Sequence, residues 1–367
     1  MPLCVLCGRN NFAPSAVNWL GKRRRPQFED DLRTSTTGIA GDTNTMASRE
    51  YIRQKAGVME RTLDQIVPSF CCDNGRNPIA GCAELPSEVQ VVRVLSLLDD
   101  VFFPGFRSEC TRGEAVEALA VERLDEAYDT LYRQVRRALP QRWKSEHARS
   151  LGDDAPASLD EGEIAEEAAR VVAAFFARIP AVRELLKKDV IASYHGDPAA
   201  RSYGEVILSY PGIRAITTHR VAHELYLLDV PLIPRVMNEH VHARTGIEIH
   251  PGARIGESFF IDHGTGVVIG ETTVIGNRVR LYQGVTLGAY SFRLDGQGNP
   301  IKGLKRHPTI EDDVVIYPGA TILGGETVIG RGAVVGGNVW LTRSVPPHTT
   351  VMLKLDGSQI TQVVRSR

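Results

Sequence analysis

The chain has 367 residues, 43% hydrophobic and 24% charged, with 43 Lys plus Arg against 44 Asp plus Glu and a formal net charge of −1. That balance is of a soluble globular protein with a sizeable core, and near-neutral charge excludes a chain built mainly to grip a nucleic-acid backbone or an anionic membrane. No apolar run approaches the roughly 20 residues of a membrane span. The first 25 residues lack the apolar core of a secretory signal and six cysteines are too few for a disulfide scaffold, so a reducing, cytoplasmic setting is expected.

Residues 1–45 have no sustained apolar period and read as a tail, its basic run Lys22-Arg23-Arg24-Arg25 answered by Glu29-Asp30-Asp31. Residues 46–245 read as an α-helical domain. Ser87 precedes Val91, Val94, Leu95, Leu98, Val101 and Phe102, spaced three and four apart. Ser158 and Glu161 form a capping-box pattern ahead of Ile164, Ala168, Val171, Val172, Phe175 and Ile179, and Pro180 is expected to end or bend that helix. A further helix is expected from Arg214 to Leu228 and another just before Gly246. The plain reading of this stretch is a packing or oligomerisation module.

From 246 to 345 the texture changes. An aliphatic residue recurs every sixth position at Ile249, Ile255 and Ile261, at Ile269, Ile275, Leu281 and Leu287, at Ile310, Ile316 and Ile322, and at Ile329, Val335 and Leu341. Small or branched residues occupy the turns, and glycine often follows the aliphatic. Thirteen such starts within about 100 residues predict a parallel β-helix of hexapeptide repeats, in which each short strand is stable only against the coils stacked on it. The period is broken by two extra residues, assigned to Val267-Val268, by one before Ile329, and by a loop at 289–308 rich in Gly, Lys and Arg. Such insertions project from one face, often the binding face. Residues 346–367 read as a C-terminal tail.

Polar residues that break a repeat's own pattern are candidates for chemistry. Three histidine-bearing segments do so: Glu248-Ile249-His250-Pro251, Asp262-His263-Gly264-Thr265-Gly266 and Lys305-Arg306-His307-Pro308. Histidine is the usual base for an alcohol near neutral pH and needs a carboxylate to orient it. Glu248 and His263 are 15 residues apart, close to one coil of about 18, so a carboxylate–histidine dyad on stacked coils is expected. Arg306 offers a planar fork for a substrate carboxylate. A zinc site from His250, His263 and His307 is not expected, because their spacing lacks the closely spaced histidine pair of γ-class carbonic anhydrases. Cys4 and Cys7 form a lone CxxC, and Cys71, Cys72, Cys82 and Cys110 also lie outside the repeats, so no cysteine nucleophile is expected.

The segments EIHPGARIG, DHGTGVVIGE, VTLG, RHP, GATILG and VPPHTT resemble the left-handed β-helix of the serine O-acetyltransferases. The likeness extends upstream to Gly196-Asp197-Pro198-Ala199, Tyr210-Pro211-Gly212 and His219-Arg220, and so covers roughly residues 195–350. The resemblance implies His263 as general base and Glu248, where the family usually has Asp, as its partner. It implies Asp197 and Asp262 as contacts to serine, Arg306 on the serine carboxylate, and His307 at the reacting centre. It further implies acetyl-CoA as co-substrate, no metal, and a homotrimer or dimer of trimers. Backbone amides near Gly288, Pro318 and Gly319 would face the pantetheine arm, and Lys302 and Lys305 its phosphates. Feedback inhibition by cysteine is implied too. The chain ends Val364-Arg365-Ser366-Arg367 rather than in the isoleucine by which the family docks into O-acetylserine sulfhydrylase, so that complex is not expected. Another hydroxylated acceptor, such as homoserine or a sugar, or a non-catalytic scaffold, are the alternative readings.

Overall fold

The structure is a computed structural model that describes residues 43–66, 85–106, 114–150, 160–356 and 359–366. The six cysteines, the basic run at 22–25 and Ser158 lie outside these. The chain divides into two units, residues 1–84 and 85–367. The first contributes one described helix, α1 (Thr43–Ile66).

In the second unit come α2 (Glu88–Phe102), α3 (Glu114–Ser150), α4 (Glu161–Phe176), α5 (Ile179–Gly196), α6 (Tyr203–Ser209), α7 (Pro211–Leu227) and α8 (Ile233–Thr245). The apolar positions read for α2 and α4 face inward: Val91, Val94 and Leu98, then Ile164, Ala168, Val171, Val172 and Phe175, are buried. Asp160 caps α4, accepting from the Gly162 and Glu163 amides. Pro180 does not bend α4; that helix stops at Phe176, and Pro180 sits in the first turn of α5, where its missing N–H costs nothing. Helix α3, with Pro140 inside it, was not anticipated from the sequence.

Beyond α8 the thirteen aliphatic positions become thirteen short strands in three parallel sheets, wound as a left-handed β-helix. The first sheet stacks Glu248–Ile249, Val268–Ile269, Thr286–Gly288, Thr321–Leu323 and Trp340–Leu341. The second stacks Arg254–Ile255, Val274–Ile275, Thr309–Ile310 and Val328–Ile329, and the third begins Phe260–Ile261, Arg280–Leu281, Val315–Ile316 and Val334–Val335. Each strand pairs with the strand one coil on, so every coil closes the apolar face of its neighbour. Residues expected as a C-terminal tail instead extend the third sheet: Thr349–Asp356 pairs parallel with Val334–Val335, and Gln359–Ser366 returns antiparallel along it. The loop at 289–308 leaves the corner between the first and second sheets.

Helices and β-helix share one continuous core. Gly212, in the first turn of α7, lies so close to the Ile261 carbonyl that a Cβ would collide with it. Gly246 ends α8 in the left-handed conformation and its carbonyl accepts from Gly266, so the helix cap is also the first step of a corner column continued by Gly266, Gly284, Gly319 and Asn338. A buried ion pair anchors the second contact. Arg220 on α7 grips Asp189 on α5 through Nε and Nη2, at 2.6 and 2.9 Å, and donates to the Ile255 and Gly256 carbonyls. Asp189 also accepts the Phe259 amide at 2.9 Å, immediately upstream of the strand that delivers Asp262 and His263.

Candidate active site

The corner between the third and first sheets carries the main irregularity. Asp262 donates its amide to Leu281, and Gly284 donates to Thr265, so Asp262 stands over Tyr282 and Gly266 over Gly284. The chain takes four steps from 262 to 266 where the next coil takes two from 282 to 284. The two extra residues are therefore His263 and Gly264, not Val267-Val268, which sit in regular positions. Both lie at positive φ, 60° and 88°. A histidine in that region is strained by about 1–2 kcal/mol, the kind of strain that collects at functional sites. Here it pushes the imidazole out of the corner, 72% exposed, with Nε2 3.6 Å from Asp262 Oδ1.

Carboxylates gather around this imidazole. Asp262 is buried and receives Arg280 Nη2 at 3.1 Å. Asp197, just past α5, accepts the Tyr210 hydroxyl at 2.5 Å and the Ala199 amide at 2.8 Å. The Tyr210 hydrogen bond, then the Ala199 one, holds the Asp197 carboxyl below its ordinary range. Burial and Asp197 together push the Tyr210 phenol up, so it stays a donor. Asp197, Asp262 and His263 are thus brought together. Glu248 is half-buried at the start of the first sheet, opposite Val268; its amide donates to Val267, and its carboxylate has no hydrogen-bond or ion-pair partner among the described residues. The expected Glu248–His263 contact is not formed within the single chain, because the two-residue bulge carries the imidazole outward.

Arg306 and His307 stand at a different corner, between the first and second sheets. Thr272 organises them: its hydroxyl oxygen accepts the Arg306 and His307 amides at 2.9 and 3.1 Å, and its own amide donates to His307 Nδ1 at 3.1 Å. His307 is 7% exposed and packs on Gly270, where a Cβ would collide with the ring. Burial, then the Arg306 charge, lowers it to about 4. Arg306 reaches Glu271 at 2.5 Å, and Glu271 also accepts from Tyr226 at 3.0 Å. Burial raises Glu271, but these two hydrogen bonds outweigh it and keep the carboxyl low. His250, one coil below, is likewise pushed down to about 4 by burial.

The Gly319 amide donates to Gln283, Pro318 has no N–H and its carbonyl accepts from Asn338, so the coil-to-coil ladder uses these groups and no free amide is offered at either position. Gly288 ends its strand with its carbonyl accepting from Gly324. Lys305 donates to the Thr272 and Pro308 carbonyls, at 2.6 and 3.3 Å, and Lys302 is exposed. The sequence reading gives no role to Tyr210, Glu271, Thr272 or Arg280; the one hint is the opposite charge of Arg280 18 residues after Asp262, on the next coil and directly opposite Phe260. Among the described residues no cluster of His, Cys, Asp and Glu is arranged to hold a metal.

No protein-family model matches the chain. It is 51% identical over 263 residues to a plasmid serine acetyltransferase of Synechococcus elongatus, covering 71% of this chain and 80% of that protein. It is 53% identical over 169 residues to a serine acetyltransferase of Bacillus licheniformis, covering 46% of this chain and 74% of the relative. Among solved structures, Entamoeba histolytica serine acetyltransferase 1 in complex with L-cysteine superposes with a TM-score of 0.59 at 37% identity, over 71% of this chain and 86% of that one.

Proposed function

The chain belongs to the serine acetyltransferase family, and we propose that it transfers an acetyl group from acetyl-CoA to the hydroxyl of L-serine with His263 as general base. The observation that supports this most is the two-residue bulge presenting an exposed imidazole beside Asp262, with Asp197 near enough to feel its charge. His263 takes the hydroxyl proton as the serine oxygen attacks the thioester carbonyl. The tetrahedral intermediate collapses with cleavage of the C–S bond, and the proton passes from His263 to the departing thiolate. O-acetyl-L-serine and coenzyme A are the products, and the chemistry needs no metal. Holding donor and acceptor side by side removes the need for a covalent enzyme intermediate.

Asp197 and Asp262 are assigned to the serine ammonium, Arg306 to its carboxylate, and His307 to the wall of the reacting centre. Glu248 orients His263 once substrate draws the imidazole inward, since such contacts tighten on binding. The His263 group and the Arg306–His307 group occupy opposite corners of the first sheet. A homotrimer reconciles this by setting one copy's Arg306 and His307 against the next copy's His263. Gly288, Pro318 and Gly319 then line the groove for the pantetheine arm as a close backbone wall. Residues 46–245 serve packing and assembly, and 246–345 the chemistry. The product feeds cysteine synthesis in the cytoplasm; no described helix is long and apolar enough to cross a membrane.

Thiol release from acetyl-CoA, with L-serine, L-homoserine or no acceptor, tests the proposal. Serine-dependent release is expected, falling about 10²–10⁴-fold in His263→Ala. Release with homoserine alone overturns the acceptor, and equal release by His263→Ala overturns the base.

A further inference from the structure

We propose that Arg280 is a positioning residue for this transfer: it fixes the Asp262 carboxylate beside His263 and offsets the negative charge that the base meets. The inference rests on His263 being the base. Arg280 points outward from the third sheet, one coil beyond Phe260. Its guanidinium carbon lies 4.8 Å from the centre of the Phe260 ring and 4.9 Å from that of Tyr282. Gly196, at the end of α5, presses on both Phe260 and Arg280, where a larger residue would displace the ring.

Within this clamp the guanidinium has one side-chain partner among the described residues. Nη2 donates to Asp262 Oδ2 at 3.1 Å, Nε is buried without a partner, and Asp262 is the only hydrogen-bonded side chain Arg280 has among the described residues. The other Asp262 oxygen faces His263 at 3.6 Å. One carboxylate thus bridges a fixed cation and the base. A planar, aromatic-stacked fork suits arginine and not lysine. A buried donor left unmatched at Nε is costly, which is understandable if this side chain is kept for the charge it delivers to Asp262.

The consequence is electrostatic. From its own corner His263 meets Asp262, from the end of α5 it meets Asp197, and through Asp262 it meets Arg280 on the next coil. Tyr210 at the head of α7 is bonded to Asp197, Glu205 on α6 acts on Tyr210, and Tyr282 lies against Arg280. Arg280 is the cation in this set. Two carboxylates favour the protonated form of a nearby histidine, and a cation beside them opposes that. Removing Arg280 is therefore expected to move the acid limb of the rate profile to higher pH.

The test is the pH profile of kcat/KM for serine in the full-length protein and in Arg280→Met, Arg280→Gln and Arg280→Lys, each checked for an intact thermal transition. Arg280→Met is expected to lose about tenfold at pH 7, with its acid limb moved up by about half a pH unit or more and activity partly recovered at high pH. Arg280→Gln repeats the test should the methionine variant not fold. Arg280→Lys keeps the acid limb but loses turnover, because the charge remains and the fork does not. A limb that superimposes on that of the parent, or a loss equal at every pH, overturns the proposal. His263→Ala run alongside separates the two readings: if it retains serine-dependent release, the base assignment fails and the role of Arg280 with it, and if it is inactive while the Arg280 limb stays fixed, only the Arg280 proposal fails.

Discussion

His263 and His307 sit on two corners of one β-helix and are held in opposite ways. His263 stands on a strained bulge, mostly exposed and in reach of a carboxylate. His307 is buried, received by Thr272, and kept uncharged down to about pH 4. The anchors differ as well. The His263 corner is tied through Phe259 to a buried ion pair between helices, the His307 corner through Thr272 and Glu271 on the coil below. A histidine can therefore serve as a proton carrier or as a rigid wall according to whether the corner adds residues or buries them.

The largest effect that sharpens this contrast is at the helix anchor. Asp189→Asn leaves Arg220 without its counter-charge in a buried setting, and thermal or urea unfolding is expected to show a loss of about 3–5 kcal/mol. A loss below about 1 kcal/mol would mean that the helices do not hold the His263 corner through this pair.

A pH effect comes next. His307 takes up a proton only near pH 4 in the fold but near 6.5 in an unfolded chain. Its contribution is therefore fully present above about pH 6.5 and is lost as pH falls from there to about 4, at up to ~1.4 kcal/mol per pH unit. His250 adds a second loss across the same window. His307→Gln should flatten the decline of unfolding free energy between pH 6.5 and 4; an unchanged slope would show that His307 is not held neutral.

Thr272→Val strips the acceptor from two backbone amides, with an expected loss of about 1–3 kcal/mol and a loosened His307. The smallest effect has the opposite sign. His263→Gly relieves the left-handed backbone and should stabilise the fold by on the order of 1 kcal/mol while removing activity. A destabilised glycine variant would mean that the bulge is supported by the imidazole itself.

Much of this was legible in the sequence. The thirteen aliphatic residues mark thirteen strands, and Asp262 and His263 stand out because charge and bulk follow a buried aliphatic where small residues are the rule. The position of the two extra residues was not legible. Val267 and Val268 both satisfy the apolar pattern, and only the pairing of Asp262 over Tyr282 and Gly266 over Gly284 identifies His263 and Gly264 as the insertion. Arg280 and Thr272 read as ordinary outward residues, since their partners lie 18 and 35 positions away on stacked coils. The separation of Arg306 and His307 from His263 was hidden for the same reason: both break the repeat, but they do so at different corners.

The sequence by itself determined the β-helix, because burying one aliphatic in six on stacked coils is a local, repeated instruction that any stretch of the chain carries whole. It also determined which histidines depart from that instruction. Only the tertiary structure decided what each departure does. The exposure of one imidazole, the burial of the other, the bond from Arg280 to Asp262 and the free-standing Glu248 all depend on the register between coils and on helices packed from outside. Hydrogen bonding and desolvation act between residues that are neighbours in space, and the chain order does not record which those are.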